Sequence, residues 1–335
     1  MSSLQGGPAI RSEVKSVTML RGLASSFVFI FHLFNLSNGY LGNESVWDIT
    51  YYGKFGVQFF FVISGFVITY SMINAGYRTK DFFTFLGKRI IRIEPPYLIV
   101  LALTVIFLWV RVRSGIGRGD LTIPSWQQVV LHVGYLIPFT HYSWLSIVFW
   151  TLAIEFQFYL LFSLLINSFT KSPVFRWVST AALIALFFLS QSEFHFFYWA
   201  PVFLLGINLA LFKNKKIAAT ELGTIAALMI ALVYYKLGLV ICLFALVPFL
   251  IIFFDPHIKL LVLQFLGRIS YSLYLLHTLV AFAIINIGIR VGNNLYQRIV
   301  FGFLALSCTL IASWLLYRFV EKPCQRLATS IRYKS

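Results

Sequence analysis

The sequence predicts an all-α, polytopic membrane protein with about ten transmembrane helices and both termini in the cytoplasm. Two features of composition favour this class. Of the 335 residues, 59% are hydrophobic and only 11% are charged. Long apolar runs also recur from one end of the chain to the other. A third feature, the distribution of basic residues between these runs, sets the orientation.

Ten apolar runs are long enough, or nearly long enough, to cross about 30 Å of hydrocarbon. The fifth run is short and is either tilted, re-entrant or paired with its neighbour. A further apolar segment, 128–139, has only twelve residues and is predicted to be interfacial or re-entrant. The ten predicted spans are 17–36, 55–74, 94–112, 145–167, 177–190, 195–212, 218–235, 237–254, 268–289 and 298–319.

Basic residues orient the predicted bundle. With the N-terminus in the cytoplasm, 19 Lys and Arg residues fall on the cytoplasmic side, 7 fall on the opposite side and Arg21 lies at the membrane edge. This bias places both termini inside. The formal net charge of +16 does not indicate nucleic-acid binding, because the basic residues lie in short loops between apolar runs. We expect one integral-membrane domain over 1–335, with the outer loop 113–144 available to grip an external substrate.

The segment 80–93 mixes aromatic and aliphatic residues with Lys88, Arg89 and Arg92 and is predicted to be an amphipathic helix in the inner interface. The sequence Glu94-Pro95-Pro96 is predicted to end this helix, after which the chain turns into the third span. Lys88, Arg89 and Arg92 share one helix face. Such a face binds either the phosphates of a ligand or lipid headgroups.

The first span carries Arg21 at its inner edge and His32 deep in its body. The two residues are eleven positions apart, which places them on roughly the same helix face and about 16 Å apart along the axis. An imidazole past the bilayer midplane is costly, so a proton-transfer role is proposed for His32, with helix packing as the alternative. Arg21 either grips an anionic ligand or anchors the helix at the interface.

Three further polar positions lie within predicted spans. Glu155, in the fourth span, must be paired or protonated; it either serves in a site or forms a structural ion pair. His277, near the middle of the ninth span, has the same two interpretations as His32. Ser64, beside Gly65 in an aromatic second span, permits close helix approach. Ser64 is not proposed as an acyl carrier, because the sequence places no base and no nucleophile elbow around it.

These motifs, taken in order, resemble those of the membrane acyltransferase-3 family over almost the whole chain. Arg21 and His32, with ten residues between them, resemble the arginine–histidine signature of the family's first helix. Two departures are a Thr18-Met19-Leu20 stretch, where the family often has an acidic residue, and Phe156 directly after Glu155. The other resembling motifs are Phe59–Gly65, Leu86–Tyr97, Trp150–Tyr159, Leu266–His277 and Tyr317–Pro323.

The resemblance implies transfer of an acyl group, most often acetyl, from cytoplasmic acyl-CoA to a sugar hydroxyl. The acceptors of the family belong to lipopolysaccharide O-antigen, exopolysaccharide, peptidoglycan or glycosylated small molecules, and the host membrane is the bacterial inner membrane. The chain resembles the stand-alone form, without a second hydrolase-like domain. We expect no metal and no permanently bound cofactor; the partners are acyl-CoA, a carbohydrate acceptor (free or lipid-linked) and membrane lipids.

In this hypothesis ten residues form the site. His32 is the general base and is assisted by Glu155. Four other side chains bind the substrate or support the catalytic residues. The acyl-CoA phosphates are held by Arg21, Lys88, Arg89 and Arg92, and the supporting residues are Ser64, Tyr159, Tyr271 and His277.

Two alternatives stay open from sequence. A transporter or flippase of a glycan or acyl intermediate would also need intramembrane ionisable residues, although no inverted repeat of broken helices is visible. The second alternative is an inactive relative that acts as a membrane receptor for an acylated ligand.

Overall fold

The computed structural model describes residues 15–35, 37, 39–114, 122–256 and 260–333, and every regular element among them is helical. Three short 3₁₀ turns and one π-turn, Tyr317–Glu321, join the α-helices. The α-helices are α1 (Lys15–Asn35), α2 (Glu44–Tyr51), α3 (Gly56–Asn74), α4 (Phe82–Arg113), α5 (Trp126–Val133), α6 (Phe149–Lys171), α7 (Pro173–Leu189), α8 (Phe196–Lys213), α9 (Ala219–Leu237), α10 (Leu239–Phe254), α11 (Leu261–Arg268), α12 (Ser270–Val291), α13 (Leu295–Leu316) and α14 (Lys322–Ser330).

All ten predicted spans coincide with helices, and the all-α class is confirmed. Eight helical segments of the described chain are long and apolar enough to cross a membrane, whereas α7 and α10 are shorter. The count of ten spans and the orientation of the termini stay predictions. Leu36 of the first predicted span lies outside the described residues, as do four basic residues used in the charge count: Arg11, Arg118, Lys259 and Lys334.

Helices α3 and α8 form the centre of the bundle, and two glycines allow their backbones to touch. A Cβ atom at Gly206 would lie 2.6 Å from the amide nitrogen of Phe66, and a Cβ at Gly65 would meet the carbonyl oxygen of Phe203. Beside this contact Phe61 stacks on Phe203 with ring centroids 4.8 Å apart. The prediction that small residues in the second span permit close approach is therefore confirmed.

A second close contact brings the start of α1 against α11. A Cβ at Gly22 would lie 2.8 Å from the amide nitrogen of Gly267, and one at Gly267 would meet the carbonyl oxygen of Thr18. Because glycine has no side chain, Gly22 and Gly267 allow the backbones of the two helices to lie in contact. As a consequence, Arg21 on α1 and Arg268 at the end of α11 lie at the same end of the bundle.

The prediction that Pro95 and Pro96 end the amphipathic segment is wrong. Helix α4 runs without a break from Phe82 to Arg113, so the predicted segment 80–93 and the third span form one helix. Proline is tolerated inside a membrane helix where neighbours satisfy the backbone carbonyls that it leaves free. The carbonyls left free here are those of Ile91 and Arg92, four residues before each proline. Next to them, the hydroxyl of Tyr271 donates a hydrogen bond to the carbonyl oxygen of Ile93, at 2.9 Å.

Helix α13 continues into α14 through one π-turn, Tyr317–Glu321. Single π-turns frequently occur at functional sites, because the extra residue redirects side chains. This one places the carboxylate of Glu321, only 1% exposed, among the helices.

Candidate active site

Helices α1, α3, α4, α6 and α12 and the π-turn enclose a cavity of about 110 Å³. Aromatic and aliphatic side chains form most of its wall, with polar groups at a few points. Its lining includes seven of the ten predicted site residues: Arg21, Ser64, Arg89, Arg92, Glu155, Tyr159 and Tyr271. The structure thus brings together, from five separate helices, most of the residues that the sequence singled out.

The carboxylate of Glu155 is the polar centre of this cavity. Its Oε1 accepts a hydrogen bond from the Ser64 hydroxyl at 2.7 Å and another from the Tyr159 hydroxyl at 2.6 Å. Tyr159 follows Glu155 by one helical turn, and Ser64 reaches it from α3. The two hydroxyls thus hold one carboxylate oxygen from two helices.

Arginines and one acidic residue line the cavity at the end opposite the outer loop. Arg21, Arg92 and Glu321 all contribute to its wall there, as does Arg89. Arg89 lies 5.6 Å from the ring centroid of Tyr159, so it belongs to the same group as Glu155.

Two buried polar atoms in this wall lack a hydrogen-bond partner among the described residues. They are Nε of Arg89 and the hydroxyl oxygen of Ser270. Buried donors are normally satisfied, so each unsatisfied one requires an explanation.

The two intramembrane histidines form a hydrogen-bonded pair. Nδ1 of His32 lies 3.0 Å from Nε2 of His277, and both rings are buried, at 7% and 1% exposed. The two residues are 245 positions apart in sequence, so no local sequence pattern predicts this contact. His32 is on α1 and His277 on α12.

The partners of the pair determine which ring nitrogen carries each proton. Nδ1 of His277 faces the carbonyl oxygen of Leu273 at 3.1 Å, and Nδ1 of His32 faces that of Val28 at 2.9 Å. Carbonyls only accept, so in a neutral pair both Nδ1 atoms are protonated. Nε2 of His277 then accepts from His32, and Nε2 of His32 keeps a lone pair. This is the tautomer that a general base requires.

Two aromatic rings separate the histidine pair from the cavity. The ring of Tyr274 lies 5.8 Å from that of His277 and 5.6 Å from that of Phe60, and both Tyr274 and Phe60 line the cavity. The hydroxyl of Tyr274 is 2.7 Å from Oγ1 of Thr151. The Thr151 hydroxyl in turn donates to a carbonyl of its own helix, so Tyr274 is the donor.

Three predicted site residues do not line the cavity: His32, His277 and Lys88. The two histidines lie behind Tyr274. Lys88 turns away, since its ammonium donates to the carbonyl oxygen of Ile331 at 2.8 Å and lies over the ring of Tyr333. Of the predicted cationic face, only Arg89 and Arg92 therefore reach the cavity.

Glu155 and His32 belong to separate hydrogen-bonded groups among the described residues. Glu155 accepts from Ser64 and Tyr159, whereas His32 bonds with Val28 and His277.

Glu321 is a site residue that the sequence analysis did not single out. Its Oε2 accepts from the Ser272 hydroxyl at 2.6 Å and from the Ser272 amide at 3.2 Å, while Oε1 accepts from the Gln325 amide at 2.7 Å. The signal was present, because Glu321 stands inside the Tyr317–Pro323 motif and is one of only 11 acidic residues in the chain.

A family model described as an acyltransferase domain matches residues 14–318. The chain belongs to this acyltransferase-3 family, whose helical membrane domain fits the bundle and the buried cavity described above. It is therefore an acyltransferase and an integral, multi-pass membrane protein.

Two curated relatives agree with this assignment. The chain is 26% identical to the acyltransferase MdmB of Streptomyces mycarofaciens, over 94% of this chain and 92% of MdmB. It is 25% identical to the O-acetyltransferase OatA of Staphylococcus aureus, over 92% of this chain but only 56% of OatA. The chain thus spans about half the length of OatA. No solved structure matches the chain.

Proposed function

We propose that this acyltransferase moves an acyl group, most often acetyl, from acyl-CoA on the cytoplasmic side to a hydroxyl of a carbohydrate. The observation that carries the proposal is a buried histidine pair that lies behind Tyr274, a residue of the wall of the same cavity that the arginines line. An O-acetyltransferase among the relatives supports acetyl and an oxygen acceptor. The carbohydrate and the bacterial inner membrane come from the family resemblance.

In this proposal the donor enters from the arginine end. Arg21, Arg89 and Arg92 line the cavity, and guanidinium groups pair well with phosphate oxygens. The thioester then travels toward the opposite end, a distance of about 16 Å between the levels of Arg21 and His32 on α1. An extended pantetheine arm, equivalent to roughly four or five residues of about 3.3–3.6 Å each, covers this distance.

The chemical step needs only this chain's side chains and the two substrates. Nε2 of His32 takes the proton of the acceptor hydroxyl while the oxygen attacks the thioester carbon. The new C–O bond forms, the C–S bond breaks, and the proton passes to the leaving thiolate. General-base assistance of this kind contributes about 10²–10⁴ in rate. For the thioester to meet His32, the rings of Tyr274 and Phe60 must turn aside.

Glu155 has a supporting role in the same proposal. Its carboxylate offsets the charge of Arg89 inside the cavity and holds Ser64 and Tyr159 in place.

Purified protein in lipid vesicles tests the proposal. Acetyl-CoA carrying a labelled acetyl group is supplied on one side, and a surface-glycan fraction from the host is supplied on the other. We expect free CoA thiol to be released and an equal amount of label to be bound covalently to the glycan, only when both substrates are present. A second test compares, by mass spectrometry, the glycans of the host with and without this protein. We expect the mass of the acyl group to be missing from the glycans when the protein is absent.

The transporter alternative predicts a different result in these vesicles. Label or glycan would cross the membrane without release of CoA thiol and without a new covalent bond. That outcome, obtained with folded protein, would refute the proposal.

A further inference from the structure

A second, open cavity lies at the arginine end of the bundle. It is a groove of about 590 Å³ between α1, α4, α11, α14 and the π-turn that precedes α14. Five cations line it: Arg21, Arg92, Arg268, Lys322 and Arg326. We call it the basic groove.

The fold holds these cations together although they come from four parts of the chain. The glycine contact between α1 and α11 sets Arg21 beside Arg268. The π-turn leads directly into α14, where Lys322 and Arg326 are four residues apart and so share a face. Arg92 completes the groove from α4.

No acidic residue is among the described residues that line the basic groove. The nearest carboxylate along the chain is Glu321, which is buried and already accepts hydrogen bonds from Ser272 and Gln325. Glu321 interacts electrostatically with Arg21 and Arg92. Arg268, Lys322 and Arg326 add three more positive charges, which concentrate positive potential in the groove. This arrangement fits a ligand with several negative charges.

The basic groove adjoins the buried cavity. Arg21 and Arg92 line both. Exposure falls along the path: Arg268 and Arg326 are exposed, Arg21 and Arg92 are half-buried, and the aromatic wall of the cavity follows. A ligand that fits both spaces has a polyanionic head and an uncharged, flexible arm.

From this shape and charge we propose that the basic groove binds the 3′-phosphorylated ADP portion of the acyl-CoA donor, with Lys322, Arg326 and Arg268 as phosphate contacts. The pantetheine arm then passes between Arg21 and Arg92 into the cavity. This inference rests on the proposed function, because it assigns the donor's nucleotide to a place in the same enzyme. None of these three cations was among the predicted site residues.

Comparing donors of different length tests the inference. Acetyl-CoA, acetyl-dephospho-CoA and acetyl-pantetheine are supplied to wild type and to Lys322→Gln and Arg326→Gln variants in nanodiscs of zwitterionic lipid. We expect each variant to raise KM for acetyl-CoA about threefold to tenfold at unchanged kcat, as for a partly exposed charge-assisted contact. For acetyl-pantetheine, which lacks the nucleotide, KM should equal that of wild type.

Arg318→Gln is the matched control. Arg318 is exposed on the same π-turn and does not line the groove, so its KM for every donor should stay at the wild-type value. Equal KM increases for acetyl-CoA and acetyl-pantetheine in the groove variants would overturn the inference. An effect that occurs only in anionic lipid would also overturn it, since the groove would then bind lipid headgroups.

Binding of adenosine 3′,5′-bisphosphate to the protein separates this inference from the proposed function. We expect the groove variants to bind the labelled nucleotide at least about threefold more weakly than wild type and Arg318→Gln. Nucleotide binding that depends on the groove, without any consumption of acetyl-CoA, would support the groove and refute the proposed reaction. Wild-type binding in both groove variants would refute the groove.

Discussion

Replacing Gly206 by alanine should push α3 and α8 apart. The new Cβ would lie 2.6 Å from the amide nitrogen of Phe66, and closer still to the carbonyl oxygen of Val62. Both obstructing atoms belong to the backbone, so no side-chain rotation relieves the clash. Ordinary contact needs about 3.5 Å; the amide nitrogen of Phe66 alone requires about 1 Å more space, and the carbonyl oxygen of Val62 requires more than that, so the two helices must separate by more than about 1 Å. Such overpacking costs about 1–3 kcal/mol.

Thermal unfolding in nanodiscs, followed by tryptophan fluorescence at a fixed scan rate, measures this cost. At about 2–4 °C per kcal/mol we expect Tm to fall by about 2–12 °C. Acyl transfer should fall as well, because α3 carries Ser64, which holds the Glu155 carboxylate.

Gly223→Ala is the matched control. Nothing lies within 4 Å of a Cβ at this exposed position in α9, and alanine gains about 0.5–1 kcal/mol over glycine inside a helix. Its Tm should therefore stay at the wild-type value or rise slightly. If Gly206→Ala and Gly223→Ala melted at the same temperature, the close contact of α3 and α8 would be wrong.

Three other predictions follow from single contacts. Glu155→Gln should lower kcat about tenfold or more, and Tyr159→Phe should lower it less, because one hydrogen bond to a charged group contributes about 1.5–3 kcal/mol. Steady-state kinetics measure both values. A larger loss in Tyr159→Phe than in Glu155→Gln would contradict the role of the carboxylate. His277→Phe should reduce turnover at least about tenfold, because it removes the acceptor of the His32 hydrogen bond. His277→Gln should retain more activity, since its amide oxygen still accepts from the His32 imidazole. Equal losses in the two variants would show that His277 does not position His32. Burial lowers the pKa of the His132 imidazole, whose Nε2 accepts from the Leu145 amide. The unfolded chain therefore binds a proton at His132 more tightly than the folded protein does, so stability should fall as pH drops below about 6.5. Tm measured at pH 7.5 and at pH 5 should differ less in His132→Gln than in the wild type.

The helices themselves were largely predictable from sequence. Apolar runs marked all ten long helices, because membrane burial imposes a length and composition that few other structures share. Local rules failed at Pro95 and Pro96, where a helix end was expected. The side chain that binds the backbone beside these prolines, Tyr271, lies 178 residues away from Ile93 in sequence, and no local pattern indicates such a contact.

The site was predictable in its residues and not in its connections. Arg21, His32 and Glu155 were singled out because ionisable groups in a span are costly. The pairing of His32 with His277 depends on the packing of α1 against α12, which the sequence does not encode locally. Lys88 shares a helix turn with Arg92 yet lies against the C-terminal segment, because helix periodicity gives the face of a helix and not its neighbour.

The most direct test of the account is acyl transfer by a His32→Ala variant in vesicles, with His141→Ala as the control histidine, since His141 is exposed and outside the site. Both variants should fold, as judged by their elution and melting. We predict that His32→Ala loses about 10²–10⁴ in turnover of acetyl-CoA, whereas His141→Ala keeps the wild-type rate. Near-normal transfer by folded His32→Ala would contradict the role of this imidazole as the base.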